Sequence, residues 1–354
     1  MLIFDGHLDL AMNAMEWNRD LRKPLHQINS LEKGLTDKPG RENATISFEE
    51  MRKGKVGLCM ATQIARYVAP DNPLPGWNSQ EQAWAQTQAQ LAWYHTMIDA
   101  GEMRQIKDLE GLQKQIDDWE TKESDTPLGF ILSLEGADSI ISMEHLERAW
   151  EYGLRAVGPA HYGPGIYAMG TDANGGITPR GKELLNKMES LGMILDATHL
   201  CDESFWDAMN MFQGAVWASH SNSRTLVPHH RQFSDEQYKE LLKRGAVIGI
   251  AFDTWMLIPN WIKGESTPKG TGVSLTHVVD HILYVCELAG NTDQVALGTD
   301  LDGGFGKEQS PHDMASIADL PVVGELLLER GLTLAEVQKI LSGNWIQFLT
   351  KVWA

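Results

Sequence analysis

Short apolar runs alternate along this chain with longer stretches in which apolar residues recur at helical spacing. Each run is bounded by polar residues, glycine or proline, as buried strands usually are. Runs without a polar face are typical of parallel sheets that are covered on both sides. The pattern predicts eight strands, at residues 2–4, 55–61, 128–134, 154–157, 193–197, 215–219, 246–251 and 295–297.

The stretches between these runs predict helices. Residues 180–191 carry leucine and methionine on one helical face, and N-cap signatures open the segments that begin at Ser234 and Thr333. The predicted helices cover residues 79–100, 103–119, 180–191, 234–244 and 333–352. Residues 17–47 are mostly polar, which predicts a long loop over one end of the fold.

Eight such strands that alternate with helices predict an α/β protein, and they favour a single (β/α)8 barrel of the TIM type. An open doubly wound sheet is the alternative, but no Gly-x-Gly-x-x-Gly follows the first strand. No linker rich in proline or glycine divides the chain, so we expect one domain over residues 1–354. A chain of 354 residues, 42% of them hydrophobic, can bury a core of that size.

The charge balance excludes several classes of partner. The chain has 30 Lys and Arg against 48 Asp and Glu, and its net charge of −18 repels nucleic acid and anionic lipid. Its apolar runs are too short to span a bilayer, and the first strand begins too early to leave room for a leader peptide. We therefore expect a soluble, cytoplasmic protein that binds neither nucleic acid nor membrane.

Imidazole and carboxylate side chains stand at the ends of most of the predicted strands. After the first strand, His7 and Asp9 are two positions apart and point the same way. The carboxyl ends of all strands in a parallel barrel meet at one mouth, where the active sites of such barrels lie. One such histidine alone is more often a core or surface residue, but the recurrence indicates a site. The side chains expected to converge are His7, Asp9, Glu135, His161, His199, His220 and Asp300.

This set of side chains predicts a metal centre. The three cysteines lie far apart and form no Cys-x-x-Cys pair, whereas imidazole and carboxylate ligands suit zinc or a similar divalent ion. His7 with Asp9 and His199 with His220 can hold two ions, provided that a carboxylate, for which Glu135 is the candidate, bridges them. Two such ions lower the pKa of a shared water to ~7, which predicts a hydrolytic enzyme.

The motifs at the strand ends resemble those of the membrane dipeptidases, also called renal dipeptidases, of the amidohydrolase superfamily. The resemblance runs nearly from end to end, and its motifs are specific together although each is weak alone. It is carried by Asp5-Gly6-His7-x-Asp9, Leu134-Glu135-Gly136, the His161 region, Gly176-Ile177-Thr178, Leu195-Asp196-x-x-His199, Ser219-His220-Ser221 with Arg231, Gly298-x-Asp300-x-Asp302-Gly303, and Gly343-Asn344-Trp345.

The resemblance implies a binuclear zinc dipeptidase that attacks the peptide bond with a hydroxide held between the two ions. It implies that His7 and Asp9 bind one zinc, that His199 and His220 bind the other, and that Glu135 bridges them.

The same resemblance implies roles for three further residues. His161 would polarise the scissile carbonyl, Arg231 would hold the substrate carboxylate, and Asp300 would carry the proton to the leaving amine. A buried guanidinium binds a carboxylate through two parallel hydrogen bonds, so Arg231 would select a free C-terminus. The smallest substrate that offers one is a dipeptide. Asp302 lies on the same strand face as Asp300, but it begins a glycine-rich turn and is expected only to order it.

Two positions depart from the family pattern. Leu8 stands where the family commonly has Asn, and Phe252-Asp253-Thr254 stands where it often has a tyrosine near the substrate. Such changes alter the wall of the site and leave the metal ligands in place, so they bear on side-chain preference. The family's tolerance of a D-residue at the C-terminal position implies that L,D-dipeptides are among the substrates.

Alternative functions remain open at this point. Other amidohydrolase activities, such as a deaminase, a lactonase or a phosphotriesterase, typically use His-x-His at the first strand, and their binuclear members often bridge the ions with a carboxylated lysine. A non-catalytic metal- or peptide-binding barrel is the alternative from a different class. A homodimer is a further expectation, since some of the twelve tryptophans are expected at an interface or at the barrel mouth.

Overall fold

The computed structural model describes residues 2–70, 72 and 74–354 of the chain. Nine strands occur in this described part, and every pairing between them is parallel. The strands are β1 (Ile3–Leu8), β2 (Val56–Gln63), β3 (Met103–Gln105), β4 (Leu128–Glu135), β5 (Leu154–Gly158), β6 (Ile194–Asp196), β7 (Val216–Trp217), β8 (Ile248–Ile250) and β9 (Val295–Leu297).

Eight of these strands form the wall of a TIM-type barrel, at the positions that the apolar runs predict. Hydrogen bonds join them in the orders β1-β2-β4-β5-β6-β7 and β8-β9. A bridge between Ala218 and Ile248 connects β7 with β8. The amide of Asp300, just after β9, donates to the carbonyl of His7 in β1 at 3.3 Å. The predicted (β/α)8 fold is confirmed.

Helices occupy the stretches between the strands. They are α1 (Leu10–Met15), α2 (Leu25–Leu31), α3 (Phe48–Lys53), α4 (Gln80–Asp99), α5 (Leu109–Lys122), α6 (Met143–Glu151), α7 (Pro179–Leu191), α8 (Asp202–Met211), α9 (Asp235–Lys243), α10 (Thr254–Leu257), α11 (Pro268–Thr271), α12 (Leu275–Ala289), α13 (Pro321–Glu329), α14 (Leu334–Gln338) and α15 (Asn344–Trp353). The predicted N-caps are confirmed: Ser234 forms a capping box with Gln237, and Thr333 forms one with Glu336. Among these helices, none combines the length and the apolar character that a bilayer span requires.

Two predicted helices differ from the structure. The helix predicted at 103–119 begins only at Leu109, because Asp108 caps it by accepting a hydrogen bond from the amide of Gly111. Its first residues form β3 instead, which pairs with the start of β4 outside the barrel order. The helix predicted at 333–352 is interrupted by a π-helical segment, Lys339–Gly343, between α14 and α15.

Buried ion pairs order the polar segment that the sequence predicts as a loop. The segment contains α2, and Glu32 accepts from Arg19 Nε and from Arg41 Nη1, both at 2.7 Å. Arg19 also lies 3.3 Å from Asp302, at the carboxyl end of the barrel. Because Arg19, Glu32 and Asp302 are all buried, this network fixes the segment over the barrel mouth.

The barrel interior closes on a core of large side chains below the mouth. Phe4, Trp217 and Trp345 are fully buried there, and the rings of Trp217 and Trp345 are 5.7 Å apart between centroids. Trp345 comes from α15 and donates its indole N–H to the carbonyl of Leu297 at 2.9 Å. The C-terminal helix thus contributes directly to the barrel core.

Three glycines bring strand backbones unusually close inside the barrel. A Cβ atom added at Gly6 would lie 2.8 Å from the carbonyl oxygen of Ser219, one at Gly249 would lie 2.0 Å from it, and one at Gly298 would lie 1.8 Å from it. Only glycine permits this approach. Gly6 and Ser219 directly precede His7 and His220. The close approach of the two backbones therefore positions these histidines side by side at the bottom of the candidate site.

Candidate metal centre and active site

Four predicted histidines surround one carboxylate oxygen at the barrel mouth. Glu135 Oε1 lies 3.2 Å from His199 Nε2, 3.4 Å from His220 Nε2, 3.7 Å from His7 Nε2 and 3.8 Å from His161 Nε2. His7 lies within β1 and Glu135 ends β4, while His161, His199 and His220 follow β5, β6 and β7. The convergence expected from the strand-end pattern is therefore present in the structure.

The two aspartates of the predicted set lie on the His7 side of Glu135. His7 Nε2 is 3.7 Å from Asp9 Oδ2 and 3.7 Å from Asp300 Oδ1. Potential ligand atoms lie within 4.8 Å of one another in three overlapping groups here. The groups are His7 with Asp9 and Glu135, His7 with His220 and Asp300, and Glu135 with His161 and His199. Glu135 belongs to two of the three.

Polar side chains behind these residues orient them. Thr62 Oγ1 donates to Asp9 Oδ1, Thr171 Oγ1 hydrogen-bonds His199 Nδ1 at 3.0 Å, and Ser219 Oγ hydrogen-bonds His220 Nδ1 at 2.9 Å. Since the Nδ1 atoms of both imidazoles are engaged, their Nε2 atoms face the centre. Outer contacts of this kind are what hold metal-binding histidines in place.

The backbone is also specialised at the site. His199 has a φ of 68° and Asp300 a φ of 58°, in the left-handed region that residues other than glycine seldom adopt. Gly136 follows Glu135 with a φ of 81°, and a Cβ there would lie 3.2 Å from His161 Cβ. Conformations of this kind cluster at functional sites, where the surrounding structure holds them.

The electrostatics of the cluster fit a divalent cation. Burial raises the pKa of Glu135 to about 7 and raises that of Asp300 well above its ordinary value. Burial also lowers the pKa values of His199 and His220 well below the ordinary value, which keeps both imidazoles neutral. Neutral imidazoles and carboxylates short of positive charge are the donor set that zinc takes.

The surroundings of His7 are the most negatively charged part of the cluster and favour a bound cation. Burial lowers the pKa of His7, but the negative charges of Glu135, Asp9 and Asp300 outweigh it and raise the pKa to about 10. Its Nε2 atom is buried and has no hydrogen-bond partner among the described residues. A buried nitrogen without a partner, close to three carboxylates, is suited to bind a metal ion.

Arg231 lies at the edge of this cluster. It is 4% exposed, and its Nη2 donates to the carbonyl of His220 at 3.0 Å and lies 3.2 Å from His199 Nε2. Its Nη1 is 3.4 Å from Ser221 Oγ. Arg231 is thus a buried residue beside the histidine cluster and not part of the protein surface.

The cluster opens into a cavity of about 660 Å³. Such a volume is within the range of small-molecule sites. Asp9, Glu135, His161, His199, Arg231 and Asp300 line its inner end. The aromatic side chains of Trp17, Trp77 and Trp255 line it as well, so some of the tryptophans lie at the barrel mouth, as expected.

Asp302 differs from Asp300 in its surroundings. Its carboxylate accepts hydrogen bonds from the amide of Thr45 at 2.9 Å, from Thr45 Oγ1 at 2.7 Å and from the amide of Ile46 at 3.1 Å. With Arg19 it anchors the N-terminal segment, which is a wider structural role than ordering its own turn. Asp300 instead lines the cavity and its side chain is 16% exposed.

The strand-end argument did not identify two cavity residues. Arg66 follows β2, and its Nη2 lies 2.6 Å from His161 Nδ1. Asp253 follows β8 and also lines the cavity; the sequence marks it only as a departure from the family pattern. Asp253 is a carboxylate just after a predicted strand, so the signal that indicates the histidines also applies to it, whereas Arg66 lies three residues beyond β2 and is neither an imidazole nor a carboxylate.

The sequence profile of the membrane dipeptidases, peptidase family M19, matches residues 1–353. The chain belongs to this family. Membership makes it a hydrolase of the metallo-dipeptidase class. The likeness suggested by the motifs at the strand ends is confirmed over the whole chain.

Three proteins similar to this chain show how far the similarity to known proteins extends. An uncharacterised Klebsiella pneumoniae protein encoded 5′ of pqqA is 29% identical over 67% of this chain and 86% of its own length. The dipeptidase tcpJ of Claviceps purpurea is 31% identical over 56% of this chain, and the match spans 45% of that protein. A Rhodobacter sphaeroides metallopeptidase, crystallised with a phosphinate mimic of L-Ala-D-Ala, shares the fold with a TM-score of 0.78 at 20% identity, covering 100% of this chain and 99% of that one.

Proposed function

We propose that the protein is a binuclear zinc dipeptidase that hydrolyses dipeptides with a free C-terminal carboxylate, including L,D-dipeptides. The observation that carries the proposal is the convergence of the four histidines on Glu135 beside the buried guanidinium of Arg231. The dipeptide mimic held by the Rhodobacter sphaeroides relative supports the substrate class and the D-configured C-terminal residue.

The ligands of the two ions are assigned as the motifs imply. His7 and Asp9 bind one ion, His199 and His220 bind the other, and Glu135 bridges them. The central position of Glu135 Oε1, 3.2 Å from His199 and 3.7 Å from His7, supports the bridge. When bound, two zinc ions supply an activated water at neutral pH and positive charge for the developing oxyanion.

Arg231 binds the substrate carboxylate. The guanidinium is buried and presents its donors to the inner end of the cavity, beside His199. In a site from which water is excluded, a charge-assisted pair of hydrogen bonds both orients the dipeptide and rejects substrates that lack the carboxylate.

His161 donates a hydrogen bond to the scissile carbonyl oxygen. Burial and the charge of Arg66 lower the pKa of His161 well below its ordinary value, so the ring is neutral. Arg66 has only donors, so His161 Nδ1 accepts from it and the ring proton lies on Nε2. That nitrogen faces the site, 3.8 Å from Glu135 Oε1.

Asp300 carries the proton to the leaving amine. Its carboxylate stands at the end of β9, on the cavity wall, 3.7 Å from His7 Nε2. It is partly exposed, which leaves an oxygen able to reach substrate, and the leaving nitrogen must gain a proton before the peptide bond can break.

A substrate panel tests the proposal. Zinc-loaded protein is assayed against L,L- and L,D-dipeptides, a tripeptide, a dipeptide amide, a lactone and a phosphotriester. We expect hydrolysis of dipeptides with a free carboxylate, at least 100-fold above that of the amide by the magnitude of a buried charged contact. Turnover of the lactone or phosphotriester without dipeptide hydrolysis contradicts the proposal and favours another amidohydrolase activity.

A further inference from the structure

An acidic side chain of the cavity has one oxygen with no partner. Asp253 is 6% exposed and lines the cavity just after β8. Its Oδ2 accepts from Trp255 Nε1 at 2.6 Å and from Gln309 Nε2 at 2.9 Å. Its Oδ1 is buried and has no hydrogen-bond partner among the described residues. Two donors therefore fix the carboxylate and leave its second oxygen for something else.

The position of Asp253 is defined by two groups assigned to the substrate's C-terminal residue. Asp253 lines the same cavity as Asp300, the proton carrier to the scissile nitrogen. Its hydrogen-bond partner Trp255 packs edge-on against His229, at 4.9 Å between centroids, and His229 accepts from the amide of Arg231. Asp253 therefore shares one cavity with the groups assigned to the scissile nitrogen and to the substrate carboxylate.

Each substituent on the α-carbon of the substrate's C-terminal residue can be assigned to one group of the protein. The α-carbon of the C-terminal residue carries the scissile nitrogen, the carboxylate and the side chain. Asp300 serves the first and Arg231 serves the second, so the side chain is the substituent left for Asp253. A buried carboxylate oxygen without a donor is costly, and a cationic partner removes that cost.

We propose that Asp253 binds a positively charged side chain, as of lysine or arginine, on the C-terminal residue of the dipeptide. The proposal rests on the dipeptidase function above and adds the class of substrate. Burial raises the pKa of Asp253 to about 7, which is the behaviour of a carboxylate short of positive charge. Lys263 also lines the cavity, and its charge lowers the pKa of Asp253 against the larger effect of burial, but it is exposed and forms no ion pair with Asp253 within the described residues.

The experiment compares two dipeptides of equal length, Ala-Lys and Ala-norleucine, each with an L- or a D-configured second residue. Wild type is expected to favour Ala-Lys by about 10- to 100-fold in kcat/KM, mainly through KM, the range of a hydrogen bond to a charged group. Asp253→Asn keeps the volume and removes the charge, so the ratio of kcat/KM for Ala-Lys to kcat/KM for Ala-norleucine should fall to about one.

The matched control is Glu265→Gln. Glu265 is exposed on the segment after α10, so the substitution removes the same charge without touching the cavity. It should keep the preference for Ala-Lys.

Each other outcome has a definite meaning. Equal turnover of both dipeptides by wild type, or a preference that survives Asp253→Asn, overturns the assignment while the dipeptidase function stands. A selective loss of Lys-Ala in Asp253→Asn, with Ala-Lys unchanged, also overturns it, because Asp253 then serves the N-terminal residue. Failure to hydrolyse any dipeptide overturns the proposed function and the assignment with it.

Discussion

Arg66 Nη2 lies 2.6 Å from Nδ1 of His161, and this contact decides which ring nitrogen of His161 carries the proton. A guanidinium cannot accept, so Nδ1 accepts and Nε2 keeps the hydrogen. Arg66 is itself held by donating from Nη1 to the carbonyl of Pro75 at 2.9 Å. A residue that does not contact the proposed ligands thus prepares His161 as a hydrogen-bond donor.

Replacing Arg66 by Met should lower kcat by about 10- to 100-fold, the usual cost of losing a group that orients an active-site residue. Arg66→Lys keeps a donor and a charge and should lose less. The ¹⁵N spectrum of His161 provides the direct measurement: the Nε2-protonated form should dominate in wild type and become mixed in Arg66→Met. An unchanged tautomer in the Met variant contradicts the assigned role.

Arg231→Met should cost about 2 to 5 kcal/mol in kcat/KM, because it removes a buried charge-assisted contact with the substrate carboxylate. Amidating the substrate should impair wild type severely and the variant little. If amidation lowers kcat/KM by the same factor in both proteins, Arg231 does not bind the carboxylate.

Asp300→Asn should leave metal content and folding nearly intact, since the amide keeps the volume, and should lower kcat by roughly 10² to 10⁴-fold, the contribution of a positioned acid or base. Kinetics and elemental analysis of the same preparation measure both. Loss of metal from the variant would show that Asp300 is a metal ligand and not a proton carrier. Asp300 lies close enough to His7 and His220 for that alternative.

Asp302→Asn should have the opposite effect. Its carboxylate accepts from Thr45 and Ile46 and pairs with Arg19, so the change breaks a buried charged network and should reduce the free energy of unfolding by about 3 to 5 kcal/mol. Denaturant titration measures this loss, and kcat of the remaining folded protein should change far less than in Asp300→Asn. An exchange of the two phenotypes would place the proton carrier at Asp302.

Reconstituted protein should contain two divalent ions per chain, and Glu135→Gln should weaken both, because a neutral amide neither bridges nor offsets two cations. Elemental analysis after gel filtration is the measurement. Asp172→Asn is the control, since Asp172 belongs to an exposed group with His229 and His230 that also has metal-ligand spacing. That variant should retain both ions. One ion or none in reconstituted wild type contradicts the binuclear site.

Acid should weaken the anchoring of the N-terminal segment through Glu32. Burial favours a higher pKa for this carboxyl, but its hydrogen bonds and attraction to Arg19 and Arg41 outweigh burial and hold the pKa below the ordinary 4.5. Its contribution to stability is therefore complete above about pH 4.5 and is lost as the pH falls through the lower folded value.

Glu32→Gln should consequently lower the free energy of unfolding at pH 7 and reduce the further loss between pH 5 and pH 3, measured by denaturant titration. Asp37→Asn removes an exposed partner of Arg41 and should have little effect. A Glu32→Gln curve parallel to that of wild type throughout the acid range would show that Glu32 contributes nothing to acid stability.

The barrel and the cluster of imidazoles and carboxylates could be predicted because both follow from local patterns. Strands buried on both faces appear as apolar runs, and parallel order places His199 and His220 at one mouth. β3 could not be predicted in this way, because its three residues become a strand only through pairing with β4. The same holds for Asp302, whose partner Thr45 is 257 positions away in sequence.

The further contacts of the site depend on distances that a strand-end pattern does not contain. Asp253 stands where the pattern indicates, but its free oxygen and the contact of Arg66 with His161 are properties of packing. Likewise, the sequence identifies Arg231 as a candidate without excluding a surface position. Its burial against the carbonyl of His220 decides between the two.

The three glycines beneath the mouth act as a spacer made of backbone alone. Because Gly6, Gly249 and Gly298 all abut the carbonyl of Ser219, any added methyl group would push β1, β8 or β9 away from β7. A methyl group at Gly6, in the strand that carries His7, would also separate the imidazoles of His7 and His220, which are 3.8 Å apart between ring centroids. The close backbone contact thus fixes the distance between the proposed metal ligands, whereas Asp253 lies in a loop above the barrel, where a substitution leaves that distance unchanged.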